Sequence, residues 1–159
     1  QRAHADIVSI DFEAVRACAG VIGVLTVDDI PGHNDVSPAG KHDDPVFAVG
    51  KVEFHGQPMF AVIAETRQIA RNAAAKVKVE YRDLDHAIDV LDAEKAGYPL
   101  VIDPLKLERG DIAEGLAKAT NRLSGEMRIG GQDHFYLEGH IAFAMPGEDD
   151  EVTVYSSTQ

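Results

Sequence analysis

The densest chemistry in this 159-residue chain lies in the run Gly130-Gly131-Gln132-Asp133-His134-Phe135-Tyr136-Leu137-Glu138. Two glycines ending a strand allow a bend with unusual dihedrals and a close approach of the backbone to another group. The neutral Gln132 directly after them both donates and accepts hydrogen bonds without carrying charge. A polar ligand or a metal-oxo group calls for such a neighbour; the alternative is a strand-to-turn bend with Gln132 exposed. His134, Glu138 and His140 have even spacing, so on one strand they share a face. Two imidazoles and a carboxylate are a ligand set for zinc or iron. Against that, His-x5-His along a strand is not a recurring ligand spacing. The competing reading has His134 and Glu138 bonded to neighbouring backbone and His140 half exposed. His33, His42 and His55 fall in loops and turns and read as solvated surface.

Other routes to catalysis find little support. Ser156 and Ser157 stand at a strand end without a G-x-S-x-G elbow. Cys18 follows a short apolar helix and reads as a small buried hydrophobe. The chain has no G-x-G-x-x-G and no P-loop signature, so nucleotide binding of those kinds is not indicated. Asp28-Asp29, Asp43-Asp44 and Asp149-Asp150 read as solvated loop charges.

The elements that must position these residues follow from periodicity and turn chemistry. Ile7, Ile10 and the run 21–26 are strand-like. Between them Asp11 is an N-cap candidate, and Phe12 and Val15 share the face of a short helix. Residues 31–45 have the composition of a surface loop. The stretches 52–54 and 59–64 flank His55-Gly56-Gln57-Pro58 and predict a hairpin. Thr66 caps a helix with Ile69, Ala70, Ala73 and Ala74 on its apolar face and Arg67, Arg71 and Lys76 on the wet side. Residues 77–81 return as a strand. Residues 92–97 read as a short helix ended by Gly97, and Pro99 and Pro104 bracket an extended connector. Asp111 and Glu114 have capping-box spacing and open a helix with Ile112, Leu116 and Ala119 inward. Three strands are predicted after it, at 122–129, 139–145 and 152–156, with Gly147-Glu148-Asp149-Asp150 turning between the last two.

Composition narrows the classes. Fifteen Lys and Arg against 27 Asp and Glu give a net charge of −12. That balance argues against nucleic acid and against an anionic membrane surface. One cysteine supports neither an internal disulfide, a Cys-ligated zinc site nor an iron–sulfur cluster. There is no apolar run of roughly 18 residues and no signal-peptide pattern, so a cytoplasmic location is expected. The first residues, Gln1-Arg2-Ala3-His4, and the last, Thr158-Gln159, are expected to be cuts within a longer protein.

Taken together, several stretches resemble the xanthine dehydrogenase family. Gly130 to Glu138, Ala142-Phe143-Ala144-Met145-Pro146-Gly147 and Tyr155-Ser156-Ser157-Thr158-Gln159 are similar to its molybdenum-binding part. Arg2-Ala3-His4-Ala5, Val27-Asp28-Asp29-Ile30-Pro31-Gly32, the run 62–75 and Val77-Lys78-Val79-Glu80-Tyr81 resemble the hammerhead domain that precedes it. The resemblance covers nearly the whole chain in order. It looks closer to the xanthine dehydrogenase branch than to the aldehyde oxidase or carbon monoxide dehydrogenase branches.

The resemblance implies an α+β fold: an α/β-hammerhead domain over residues 1–103, a mixed sheet with packed helices, then the first strands of a molybdopterin-binding domain over 104–159. It implies a molybdenum hydroxylase that oxidises xanthine and hypoxanthine to urate with oxygen from water. The metal is held by a molybdopterin cofactor, and electrons leave through Fe-S clusters and FAD on other domains or subunits to NAD. Carried over residue by residue, Gly131 and Gln132 lie at the cofactor, Gln132 hydrogen-bonds the apical oxo of molybdenum, and no side chain of this chain ligates the metal. Glu138 belongs to this run and is expected to be structural, not the family's glutamate base. The implied partners are a small purine and the Fe-S/FAD subunit or domain of the same oligomeric enzyme. This piece alone is expected to bind no cofactor and to be inactive. Two alternatives stand beside this: a hydroxylase of the same family acting on an aldehyde or another N-heterocycle, and a noncatalytic hammerhead module for binding or assembly.

Overall fold

The computed structural model describes residues 1–38 and 40–158. Ala39 in the 31–45 loop and Gln159, the last residue of the C-terminal motif, lie outside them. The chain forms two compact units, Gln1–Pro104 and the stretch from Leu105 onward.

The first unit is built on two small antiparallel sheets. Strand β1 (Ala5–Asp11) lies between β3 (Lys51–Val52) and β5 (Lys78–Asp83), while β2 (Val21–Leu25) pairs with β4 (Ala61–Ala64). Ala5 is opposite Val52 on one side and Asp83 on the other. Each long pairing contains one irregularity, at Val8 in β1 and at Ile22 in β2. The extra residue of a bulge leaves the ladder, and both side chains are exposed. The mixed sheet expected here appears as antiparallel pairings only, among the described residues. The reason lies in the connections. Helix α1 (Glu13–Arg16) joins β1 to β2, and α2 (Arg67–Ala74) joins β4 to β5. In both cases the joined strands belong to different sheets, so no parallel crossover unit arises.

Sequence-local chemistry sets these elements. Glu13 N–H donates to the Asp11 carboxylate at 2.8 Å, so Asp11 serves the first turn of α1 although Phe12 occupies the cap position. Thr66 caps α2, its hydroxyl accepting from Ile69 N–H at 3.2 Å. The alanine face of α2 packs on β4 and β2, with α1 alongside, and Ala73 is buried. Gly20 shows why small residues matter here. It has φ +80°, and a Cβ on it would lie 2.9 Å from Ile69 Cδ1. Glycine alone gives α2 this approach without strain. Phe12 and Phe60 meet edge to face, their centroids 5.0 Å apart. Ala5, Ala48 and Val52 form the main apolar cluster, with Ile7, Met59 and Tyr81 packed around it.

The predicted 52–64 hairpin does not form. Residues 54–57 do turn, with Gln57 N–H donating to Phe54 O at 3.3 Å, but β3 pairs with β1 and β4 with β2. Pro58 has no N–H for a ladder, and its carbonyl accepts from Ala48 N–H at 2.7 Å instead. Helix α3 (Val90–Ala96) starts two residues earlier than expected, capped by Asp89, and ends at Gly97 with φ 71°.

The second unit holds α4 (Ile112–Lys118) and a hairpin of β6 (Ala142–Pro146) and β7 (Val152–Ser156). Asp111 caps α4, accepting from Glu114 N–H at 2.8 Å. The hairpin turns at Gly147 to Glu151 as expected, with Asp149 and Asp150 at positive φ. Two expectations fail here. Residues 122–129 form no strand, because no neighbouring strand offers them a ladder among the described residues. The inward face of α4 is open, with Ile112 67% and Leu116 58% exposed, since no element of the unit covers it.

Candidate functional site

The run that begins at Gly130 precedes β6 without helix or strand. Neither Gly130 nor Gly131 has positive φ, so the expected unusual dihedrals are absent. Space takes their place: a Cβ on either glycine would meet nothing within 4 Å. Gln132 follows and is exposed. Its neutral carboxamide can donate and accept hydrogen bonds without carrying charge.

The bend comes after Gln132. Asp133 Oδ1 accepts from Phe135 N–H at 3.1 Å, and Phe135 takes φ 49°, a left-handed value unusual for an aromatic residue. Beyond it His134, Tyr136, Glu138 and His140 line one cavity of about 530 Å³ together with Ser157. The even spacing thus brings His134, Glu138 and His140 to one concavity, although no strand carries them. Among the described residues, no three or more His, Cys, Asp or Glu side chains are gathered to hold a metal ion. The zinc or iron reading therefore has no geometry behind it.

What the cavity does contain is a hydrogen-bonded aromatic pair. Tyr136 Oη bonds His140 Nε2, and the rings stack at 5.3 Å and 21°. Ser157, set aside as a nucleophile, ties the end of β7 to the same region. Its Oγ donates to Gly139 O at 2.8 Å and accepts from Ile141 N–H at 3.0 Å. Its own N–H donates to Ile141 O at 3.0 Å. Sequence reasoning missed Tyr136 and Ser157. Tyr136 was recoverable, since it shares the even spacing of 134, 138 and 140. Ser157 was not, because its partners are set by how the hairpin pairs.

In the first unit, three histidines line a cleft of about 660 Å³ with Phe54, Ile88 and Val101. They are His4, whose Nδ1 donates to Asp85 O at 2.8 Å, His86, donating to Leu84 O at 3.0 Å, and His55. His42 pairs with Asp35. Hydrogen bonds from the Ser37 hydroxyl and then its backbone N–H, with His42 third, hold the Asp35 carboxyl down at about 2. Cys18 is half-buried, its Sγ bonded to Ala14 O at 3.2 Å.

Comparison with known proteins gives two family matches, the second of which begins inside the first unit. Residues 1–85 match the family "Aldehyde oxidase and xanthine dehydrogenase, a/b hammerhead domain", and residues 95–159 match the "Molybdopterin cofactor-binding domain". Xanthine dehydrogenase/oxidase of Felis catus is 41% identical, covering 99% of this chain and 12% of that protein. Aldehyde oxidase 2 of Mus musculus is 39% identical, covering 99% of this chain and 11% of its own length. Those two values do not separate the branches. Among solved structures, the aldehyde oxidoreductase of Desulfovibrio gigas superposes with a TM-score of 0.81 at 28% identity, over 99% of this chain and 19% of that one. Quinoline 2-oxidoreductase of Pseudomonas putida 86 gives 0.79 at 25% identity, over 99% and 22%. This chain thus spans about an eighth of the length of the curated relatives it matches. With more than half of its residues inside the hammerhead match and the expected α+β elements in place, the chain belongs to the aldehyde oxidase and xanthine dehydrogenase family.

Proposed function

We propose that this chain is part of a molybdenum hydroxylase that oxidises xanthine and hypoxanthine to urate with water-derived oxygen. In this reading residues 1–103 are the hammerhead domain and 104–159 begin the molybdopterin domain. The single observation behind it is the exposed Gln132 beside two open glycines, inside the molybdopterin cofactor-binding match. The bound molybdenum–pterin group supplies the two-electron oxidation. Gly131 would leave room for that group, and the Gln132 amide would donate a hydrogen bond to it. A neutral donor would do so without the cost of burying an ion. Fe-S clusters and FAD, on other domains or subunits, would carry the electrons to NAD. The base and the segments that hold the pterin are assigned to parts of the whole protein not contained in these 159 residues.

A second reading has a specific observation in its favour. Aldehyde oxidase 2 matches almost as well as xanthine dehydrogenase/oxidase, and the superposed structures act, by their names, on aldehydes and quinoline. The substrate would then be an aldehyde or another N-heterocycle. One experiment tests both. The whole protein is purified, its molybdenum measured by elemental analysis, and its turnover followed by absorbance with xanthine, benzaldehyde and quinoline. Stoichiometric metal with xanthine the best substrate by kcat/KM supports the first reading. Preference for benzaldehyde or quinoline selects the second, and a metal-free whole protein overturns both. The 159-residue chain, run in parallel, is expected to show neither metal nor turnover.

A further inference from the structure

We propose that the histidine-lined cleft of the first unit is a binding site for a small aromatic cation of the amidinium or arylammonium class, a ligand that donates N–H groups. Its volume of about 660 Å³ lies inside the roughly 300–1,000 Å³ range of small-molecule sites, which combine apolar walls with a few placed polar groups. Hydrogen bonds within the unit form the cleft without a ligand. Leu84 N–H donates to His4 O at 3.0 Å and His4 Nδ1 to Asp85 O at 2.8 Å, which ties the start of β1 to the segment after β5. Gln57 closes the 53–57 turn beside Phe54, its Oε1 accepting from Glu53 N–H at 2.8 Å and its own N–H donating to Phe54 O at 3.3 Å. Helix α3 stops at Gly97 with φ 71°, and Tyr98 N–H donates back to Ala93 O at 3.0 Å, which fixes Tyr98 at another wall.

The polar groups whose roles are fixed here are acceptors. A carbonyl only accepts, so the bonded Nδ1 of His4 and of His86 carries the proton. Each neutral ring is then left with Nε2 as an acceptor. The Tyr98 hydroxyl and the His55 ring take either role. Two carboxylates join them, Glu53 and Asp85. Glu53 is offset by the Lys51 ammonium at 2.7 Å. Other cations close in sequence are committed elsewhere: Arg2 holds Asp83 at 2.8 Å, and Arg82 holds Asp6. Among the described residues, no Lys or Arg lines the cleft and no ion pair engages the Asp85 carboxylate. Asp85 is therefore the charge left to be met, and a chain of net charge −12 adds a potential of the same sign. An anion would face a carboxylate of its own sign. A cation with an aromatic body gains the carboxylate, the imidazole acceptors and the ring faces of Phe54 and Tyr98.

The test titrates benzamidine into the isotope-labelled 159-residue chain and follows it by nuclear magnetic resonance, with benzamide as the neutral match and benzoate as the anionic one. Benzamidine is expected to give saturable shifts confined to His4, Phe54, Asp85, His86, Tyr98 and their neighbours, with millimolar affinity; benzamide should bind more weakly and benzoate not at all. Asp85→Asn should weaken benzamidine about two- to fivefold, as the loss of one exposed charge contact does. Glu126→Gln removes the same charge from the second unit and should change nothing. Tyr98→Leu keeps an apolar wall without the ring face and should also weaken binding. In the whole protein, calorimetry should give the same ratio between Asp85→Asn and the unsubstituted form. Four results would overturn the proposal: benzoate binding as well as benzamidine, shifts spread over the whole surface, equal effects of Asp85→Asn and Glu126→Gln, or a whole protein in which other domains cover the cleft and Asp85→Asn changes nothing.

Discussion

In the function proposed above, Gln132 serves as a neutral hydrogen-bond donor to the cofactor. Its removal by Gln132→Ala in the whole protein should leave folding nearly unchanged, because the side chain is on the surface. In the proposed role, the lost bond to a partly charged oxygen would be worth roughly 1.5–3 kcal/mol. If that bond tightens in the transition state, the chemical step slows by about tenfold to a hundredfold. Metal content, melting temperature and the reductive half-reaction rate decide it, and an unchanged rate at full loading returns Gln132 to the role of an exposed bend residue. Asp35 offers a second test at this scale. Its folded pKa of about 2 lies below the ordinary 3.8, so its carboxylate stabilises the 34–44 loop above pH 3.8. That contribution is lost as the pH falls through about 2. A chemical-shift titration of Asp35 should give that low midpoint, and Ser37→Ala should raise it, since Ser37 is the largest cause. A midpoint near 4 in the unsubstituted protein would refute the bonding seen in this loop.

Helix α2 packs its alanine face on the sheet of β2 and β4. Ala73 is 1% exposed and Arg71 is on the open side. Ala73→Glu should cost several kcal/mol, because a carboxylate enters an apolar contact without a partner. Arg71→Glu should cost about 0.5 kcal/mol or less. Thermal melts of the two variants check the orientation of α2, and equal melting temperatures would refute it. At this scale much was legible in advance. Thr66, Asp111 and Gly97 end or begin their helices where their side chains or backbone freedom allow, because caps are satisfied within a few residues. Strand pairing was not legible in the same way. Residues 52–54 and 59–64 had the composition of a hairpin, yet a strand's partner is chosen by the whole sheet, and Pro58 withheld a donor.

Across the whole molecule the two units differ in how much they bury. Among the described residues, all five buried apolar ones, Ala5, Val15, Ala48, Val52 and Ala73, belong to the first. The second leaves Leu123, Met127, Phe135, Leu137 and both faces of its hairpin exposed. Exposed apolar surface of this extent gives a chain little free energy to set against its conformational entropy. Expressed separately, residues 1–104 should melt cooperatively by calorimetry. Residues 105–159 should bind a hydrophobic dye and show no cooperative transition; a sharp, dye-free transition would refute this.

The sequence by itself determined the α+β class, the helix caps, the hairpin turn at 147–151 and the run that carries Gln132. Each of these depends on residue type and short-range spacing, which the chain states outright. Tertiary structure alone decided that β3 and β4 part to different sheets, that 122–129 finds no ladder, and that the faces of α4 stay open. It also decided that Ser157 bonds Gly139 and Ile141, on either side of His140, and that Tyr136 stacks on His140. Those outcomes depend on which surfaces meet across long sequence distances, and a linear pattern leaves that choice open until the whole chain packs.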